Sequence, residues 1–572
     1  MSDFLKIVSS QYKHLPERGD EFILPRVISG GSMMKNEPFS FQALFRTSEA
    51  KVGEPVTLSV KTDLPAECWR VDPVVVLATR ADMSSGCYES DRAGIYPDIL
   101  SPRPADPELE EKATAWNRPL YFEKDTDAML NATSDYQSVW VTLNPDSDTL
   151  KSGEYEVKVI LSSLQPLAPI AEETLKIRVI NELLPEQTEY YTNWFHVDCV
   201  CDMFGVKPYS SAFYKIFDGY VKNMTRHRQN TILLPAFTPA LDTAIGAERM
   251  NVQLAEIEKT PEGWRFGFEK MRRFVRHAKR NGIRVFEHCH LFSQWGAKHT
   301  PNIYDVEGNR IFGFDTDATG KEYTDFIRAY LKEFFVFAKE EKIDKSLIFH
   351  ISDEPKLDHL ESYRAAHDRV ADLLKGNPVC DAMSNFEFYS ESLVDQPILH
   401  VNHMTDHDPS VCPSIWLYYT GGETNTANRK ITNTAAATRA IGVHMYKYRA
   451  LGFLQWAYNY CYDRLSVGFG DPTSSVNVYK MIPGICNLCY PVKGRKGVKI
   501  CPSIREKLMC EAFDDLRALK LLESKIGRAA TLALCEEKLG EITCYTVPKG
   551  EALRELREAV NEKIAASLEF VR

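Results

Sequence analysis

The chain has 572 residues, 44% of them apolar and 26% charged, which are the proportions of a folded globular protein with ample material for a core. Its length allows about three or four domains, and a large barrel would absorb two of them. The 69 basic and 79 acidic residues leave a net charge of −10 and no long basic block, which argues against nucleic acid and anionic membranes as partners.

From Met1 to His14 the chain offers no apolar core long enough for a signal peptide, and no later run reaches membrane-spanning length. The 14 cysteines are scattered, and Cys199, Cys201, Cys289 and Cys461 lie within apolar runs. They read as reduced, mostly buried thiols of a cytoplasmic protein. Cys486-Asn-Leu-Cys489 has the spacing of a metal-binding pair. No second pair follows it, so neither metal nor other cofactor is expected.

Residues 1–184 carry strand-like segments and almost no helical periodicity. Pro55–Lys61, Val74–Arg80, Ser138–Leu143 and Glu154–Leu161 alternate or run apolar, with turn residues such as Asn144-Pro-Asp-Ser and Ser152-Gly153 between them. This pattern predicts a β-sandwich acting as a support domain.

From residue 185 strands alternate with helices. Strands are predicted at Tyr190–Asp198, Asn230–Ala236, Ile283–Phe292, Ser346–Asp353, Val379–Asn385, Ile398–His403, Ser414–Thr420 and Phe453–Asn459. Helices are predicted near Ala212–His227, Phe268–Lys279, Glu322–Glu341, Leu357–Leu374 and Thr432–Ala450, with another after Pro502. Eight such units over 185–525 predict a (β/α)8 TIM-like barrel, followed by a small helical extension over 526–572. The units after the fifth and sixth strands leave room for at most a short helix. An open doubly wound sheet is the alternative.

In a barrel of this kind the reactive face collects the C-terminal strand ends. Here they present His196 and Asp198; His288, His290, Gln294 and Trp295; Asp353 and Glu354; Asn385 and Glu387. The remaining ends add Asn402 and His403; Tyr418, Tyr419 and Glu423; and Trp456, Tyr458 and Asn459. Aromatic faces ringed by amides and imidazoles suit a carbohydrate site, so an oligosaccharide or glycoconjugate is the expected partner. The most informative run is His350-Ile-Ser-Asp-Glu-Pro355, two adjacent carboxylates closing an apolar strand that Pro355 must end.

Met224-Thr-Arg-His-Arg-Gln-Asn-Thr231, His290-Leu-Phe-Ser-Gln-Trp-Gly-Ala297 and Ile348-Phe-His-Ile-Ser-Asp-Glu-Pro355 resemble the catalytic part of family 123 glycoside hydrolases, the β-N-acetylgalactosaminidase-like proteins. A block from Ser503-Ile-Arg505 to Glu511-Ala-Phe-Asp-Asp-Leu516 fits less tightly. The resemblance implies substrate-assisted hydrolysis of a terminal β-linked N-acetylhexosamine, with Asp353 and Glu354 catalytic. Glu354 would protonate the leaving oxygen and then activate water. Asp353 would hold the N–H of the 2-acetamido group while its carbonyl oxygen attacks the anomeric carbon. A fixed carboxylate beside a developing oxazolinium is electrostatically sound, and a negative Asp353 would favour the protonated acid next to it.

Three alternatives stay open. Glu423 could be the nucleophile of a retaining glycosidase, which requires the two carboxyls about 5–5.5 Å apart. His288-Cys-His290 could join His196 and Asp353 around a metal, the i, i+2 histidines sharing a strand face. A catalytically inactive carbohydrate-binding barrel is the third.

Overall fold

A computed structural model describes residues 2–15, 25–77, 81–101, 127–131, 135–164, 166–239, 248–406, 410–466, 468–470, 482–494 and 497–569. The N-terminal region is strand-rich. One sheet orders Phe4–Ser9, Phe39–Arg46, Gln137–Leu143, Ala66–Val76 and Gly94–Ser101, all antiparallel. The other orders Gly30–Met34, Leu167–Ile180, Gly153–Leu164, Pro55–Lys61 and Asp127–Asn131, parallel only at its first pair. Alternation lets Phe41, Val139 and Val141 of the first sheet meet Leu58, Val157 and Leu175 of the second in one core. Strand Gln137–Leu143 is buried on both faces. Its other face carries Trp140 into a cluster with Ile504 and Leu508, so this region packs directly on the rest of the molecule.

The rest is mixed α and β. Eight parallel strands form β1 (Tyr190–Asn193), β2 (Thr231–Leu234), β3 (Val285–His288), β4 (Leu347–Phe349), β5 (Ala382–Met383), β6 (Ile398–His400), β7 (Trp416–Tyr418) and β8 (Gly452–Gln455). One sheet runs β1-β8-β7-β6-β5 and the other β2-β3-β4. Hydrogen bonds cross both seams. Asn230 N–H donates to Tyr191 O at 3.2 Å, and Phe349 N–H to Pro378 O at 3.0 Å with Cys380 N–H returning to Phe349 O at 2.9 Å.

Each predicted strand contains one of these eight, but the ladders are shorter. Residues 350–353, for example, leave β4 although they are buried or nearly so. The predicted first strand ends early because Val197–Phe204 is a helix, with Asp198 in its first turn. Helices Ser211–Arg226, Glu269–Arg280, Lys321–Glu340 and Leu360–His367 lie near their predicted places. Among the described residues, the stretches after β5 and β6 hold only Glu387–Ser390 and a 3-10 turn at Val401–Asp406.

Helix Ile504–Ile526 joins the regions. Arg505 and Asp98 are both fully buried and paired at 2.8 Å, and Lys507 reaches Glu67 at 2.9 Å. The C-terminal helices Arg528–Leu539 and Ala552–Glu569 continue this layer. Leu553, Leu556, Val560 and Ile564 share a core with Met34 and Ile180 of the strand-rich region. Among the described residues no helix is long and apolar enough to cross a membrane.

Candidate active site

The chain leaves β4 at His350 and remains hydrogen-bonded to the loop after β3. Leu291 N–H donates to His350 O at 2.9 Å, Phe292 N–H to Ile351 O at 3.1 Å and Trp295 N–H to Asp353 O at 2.9 Å. The Ser352 hydroxyl donates to Ser293 O at 2.8 Å. On the other side stands Asp381, fully buried just before β5, whose carboxylate accepts the N–H groups of Ile351 and Ser352 at 3.1 Å and the Tyr363 hydroxyl. The His350 ring lies between Asp381 Oδ1 at 3.3 Å and Glu287 Oε2 at 3.1 Å. Trp194 Nε1–H also donates to that Glu287 oxygen, at 2.9 Å. Burial would strip His350 of its proton, but the hydrogen bonds and charges of Asp381 and Glu287 outweigh it and hold the imidazolium with a pKa of about 10.

Asp353 and Glu354 follow this pinned segment. Glu354 has φ of +42°, a left-handed conformation that costs a residue with a Cβ about 1–3 kcal/mol and that a following proline disfavours further. Its Oε1 accepts the Tyr418 hydroxyl at 3.0 Å from the end of β7. The Asp353 carboxyl is pushed up to about 8 by burial, then by the charges of Glu354 and Asp381, with His350 opposing.

Tyr418 stands edge-on to His400, ring centroids 5.0 Å apart. His400 Nε2 lies 3.1 Å from Glu423 Oε1, and the Thr420 hydroxyl is 2.9 and 2.8 Å from the two Glu423 oxygens. Burial would raise the Glu423 carboxyl, but His400 and then Thr420 outweigh it and hold it down at about 2. Asn402 closes this group with Oδ1 at 2.5 Å from His400 Nδ1.

Other predicted residues divide into two sets. His290 is 8% exposed and lies between Trp194 and the stacked ring of His350, at centroid distances of 5.4 and 4.9 Å. Gln294 follows on the same loop, nearly buried, and Trp295 is 48% exposed in a left-handed turn at φ +57°. Asn385 and His403 are partly buried after β5 and β6, and Trp456 packs against Tyr460 at 4.9 Å.

Three residues do not face the site. Tyr419 is fully buried against Phe453, because it alternates with Tyr418 and points into the core behind the sheet. Tyr458 is buried with its hydroxyl donating to Glu506 at 2.7 Å and accepting from Asn223 at 2.7 Å. Asn459 has both amide ends engaged by the His196 backbone, at 2.8 and 3.1 Å.

The histidine pair of the metal alternative also separates. The β3 ladder ends at His288, which is buried and lies 3.0 Å from the Tyr330 hydroxyl of helix Lys321–Glu340, while His290 turns toward Trp194 and His350. Two other donor groups converge, His196–Asp198–Cys199 and His290–His350–Asp381. In the first, Arg249 holds Asp198 with two bonds of 2.7 and 2.8 Å and lies 3.1 Å from His196 Nδ1. In the second, Asp381 and His350 are already engaged with each other and the backbone.

Sequence reasoning missed Asp381, Glu287, Trp194 and Tyr363. The available signal was a lone carboxylate inside each of two apolar strand runs, Val379-Cys-Asp-Ala-Met383 and Val285-Phe-Glu-His288. Such a group needs a buried partner.

Residues 194–522 match the family described as glycoside hydrolase 123, catalytic domain. Among solved structures, the chain is similar to a family 123 glycoside hydrolase from Clostridium perfringens, the subject of work on glycolipid glycan hydrolysis. Identity is 13% over 100% of this chain and 99% of that one, with a TM-score of 0.72, which establishes a shared fold. A β-galactosidase from the psychrophilic Marinomonas ef1 gives 10% identity, 59% and 60% coverage and a TM-score of 0.33. A family 39 glycoside hydrolase from Bacteroides cellulosilyticus WH2 gives 9%, 80% and 80%, and 0.28. Likeness at these two scores bears on nothing further. No curated protein matches the chain in sequence. The match over more than half the chain and the fold shared along its whole length lead to one assignment: this chain belongs to glycoside hydrolase family 123.

Proposed function

We propose that this glycosidase removes a terminal β-linked N-acetylhexosamine, most readily N-acetylgalactosamine, by substrate-assisted hydrolysis with retention of configuration. The observation that carries the reading is the adjacent pair Asp353–Glu354, rigidly held where β4 ends. Neighbouring residues cannot easily flank a sugar from opposite faces, which suits a substrate that supplies its own nucleophile. We also read the two parallel sheets as one eight-stranded barrel, since hydrogen bonds cross both seams, with the strand-rich region over 1–184 as support and 526–572 as an extension. The Clostridium perfringens relative makes a glycolipid glycan a reasonable natural substrate class.

In this scheme the free enzyme keeps one proton on the pair, favoured on Asp353. An acetamido N–H arriving at Asp353 prefers the carboxylate, so binding moves the proton to Glu354. Glu354 gives it to the glycosidic oxygen as the acetamido oxygen bonds to the anomeric carbon and the aglycone leaves. The oxazolinium N–H then faces an ionised Asp353. Water attacks the anomeric carbon, Glu354 takes its proton, and the ring reopens. Tyr418 orients Glu354. His290, Gln294, Asn402 and Trp456 are the proposed sugar contacts, and Trp295, exposed beside Asp353, the proposed platform for the aglycone.

The test compares Asp353→Asn with Glu423→Gln. The first should lose roughly 2–4 kcal/mol of transition-state stabilisation, by analogy with lost oxyanion-type contacts, while the second changes the rate comparatively little. The reverse ranking, with covalent labelling of Glu423 by a fluorosugar, would establish a protein nucleophile instead.

A further inference from the structure

We infer that Asp381 is a positioning residue for this hydrolysis: through the Ile351 and Ser352 N–H groups it sets where Asp353 and Glu354 stand. The inference rests on the reading of that pair as catalytic. The geometry is that of a clamp. Both Asp381 oxygens are occupied, Oδ1 by Ile351 N–H at 3.1 Å and by His350 at 3.3 Å, Oδ2 by the Ile351 and Ser352 N–H groups at 3.1 Å and by the Tyr363 hydroxyl. The clamp closes one residue before Asp353, where the chain has left the β4 ladder and no strand partner remains on the β5 side. Without it the backbone leading into the strained Glu354 turn would be held by the loop after β3, with Tyr418 reaching only the Glu354 carboxylate.

The same group sets the local charge. The charge of Asp381 adds to the burial that raises the Asp353 carboxyl, while His350, held between Asp381 and Glu287, opposes it. Other titratable groups facing the cluster are His290 from the β3 loop, Tyr363 from helix Leu360–His367, Cys380 and Asp395 flanking β5, and Tyr418 from β7. A buried negative charge discourages a second one on Asp353, which keeps a proton on the catalytic pair until substrate arrives.

The experiment is a pH profile of kcat and KM on 4-nitrophenyl β-N-acetylgalactosaminide, using the full chain. Asp381→Asn replaces two acceptor oxygens by one carbonyl oxygen and an amide NH2 that cannot accept an N–H, and it removes the carboxylate. The expected result is a kcat lowered by about 100-fold with KM little changed, and an alkaline limb moved to lower pH by at least about half a unit. A residue that merely fills space would leave the limb in place. Two further variants keep the claim testable if Asp381→Asn does not fold. Tyr363→Phe removes one bond from the clamp and no charge, so kcat should fall about tenfold with the limb unmoved. Glu287→Gln leaves the bonds to Ile351 and Ser352 in place, so its kcat should fall less than that of Tyr363→Phe. Unchanged kcat in Tyr363→Phe, or a larger loss in Glu287→Gln than in Tyr363→Phe, would overturn the inference. An Asp353→Asn variant with the full wild-type rate would instead overturn the functional reading beneath it.

Discussion

Glu354 precedes a proline yet holds a left-handed backbone, so its conformation is imposed by neighbours: Tyr418 on its carboxylate, and Trp295 on the Asp353 carbonyl before it. Beside it, burial raises the Asp353 carboxyl to about 8, and the charges of Glu354 and Asp381 add to the effect. The sign follows directly. Below about 8 the pair retains a proton that can reach the leaving oxygen, and above it that proton is lost. The kcat/KM profile should therefore fall on an alkaline limb near pH 8, close to tenfold per unit beyond it. A profile still flat at about pH 9 would contradict this assignment. Glu354→Gln should abolish most turnover of substrates with poor leaving groups and spare more of it on dinitrophenyl glycosides, which leave without protonation. Equal losses on both would remove Glu354 from the acid role. At this scale Asp353 and Glu354 stood out as candidates because two carboxylates at a strand end have no cheap structural explanation. Tyr418 and Tyr419 were not separable, because which of two consecutive tyrosines faces the site depends on strand phase, and a three-residue ladder leaves little pattern from which to read it.

Secondary-structure elements hold these side chains at close range. Helix Ile441–Tyr448 lies so near helix Ile504–Ile526 that a Cβ on Gly442 would fall 2.0 Å from the Ala512 carbonyl oxygen. The glycine is there for close approach of two backbones. Gly442→Ala should force the helices apart and destabilise the protein by about 1–3 kcal/mol, read as a lower midpoint of thermal or urea unfolding. An unchanged midpoint would mean that the layer is loosely packed. The positions of the parallel strands were legible from their apolar runs, and the long helices from their amphipathic period. Strand ends were not. His350 to Asp353 read as a continuing strand, but the Ile351 and Ser352 N–H groups turn to Asp381, and the His350, Ile351 and Asp353 carbonyls to the β3 loop. β5 keeps only two residues in its ladder, Ala382 and Met383.

Across the whole molecule, the strand-rich region and the C-terminal helices grip the catalytic region from outside. The Arg505–Asp98 pair spans 407 residues of sequence, and Arg557 of the last helix reaches Glu37 at 2.7 Å. Neither pair has a local signature, because each charge becomes informative only beside its distant partner. For this reason the residues 526–572 read as a small extension, whereas in the structure Ala552–Glu569 contributes to a core shared by both regions. This surround fixes the frame in which the Asp353–Glu354 pair is presented. The central claim is that the substrate's own acetamido oxygen is the nucleophile. Its most direct test is the turnover of 4-nitrophenyl β-N-acetylgalactosaminide beside that of 4-nitrophenyl β-galactoside, which differs only in a hydroxyl at position 2. The account predicts that the first is hydrolysed and that the second has essentially no kcat at any concentration. Comparable kcat values on the two substrates would contradict it.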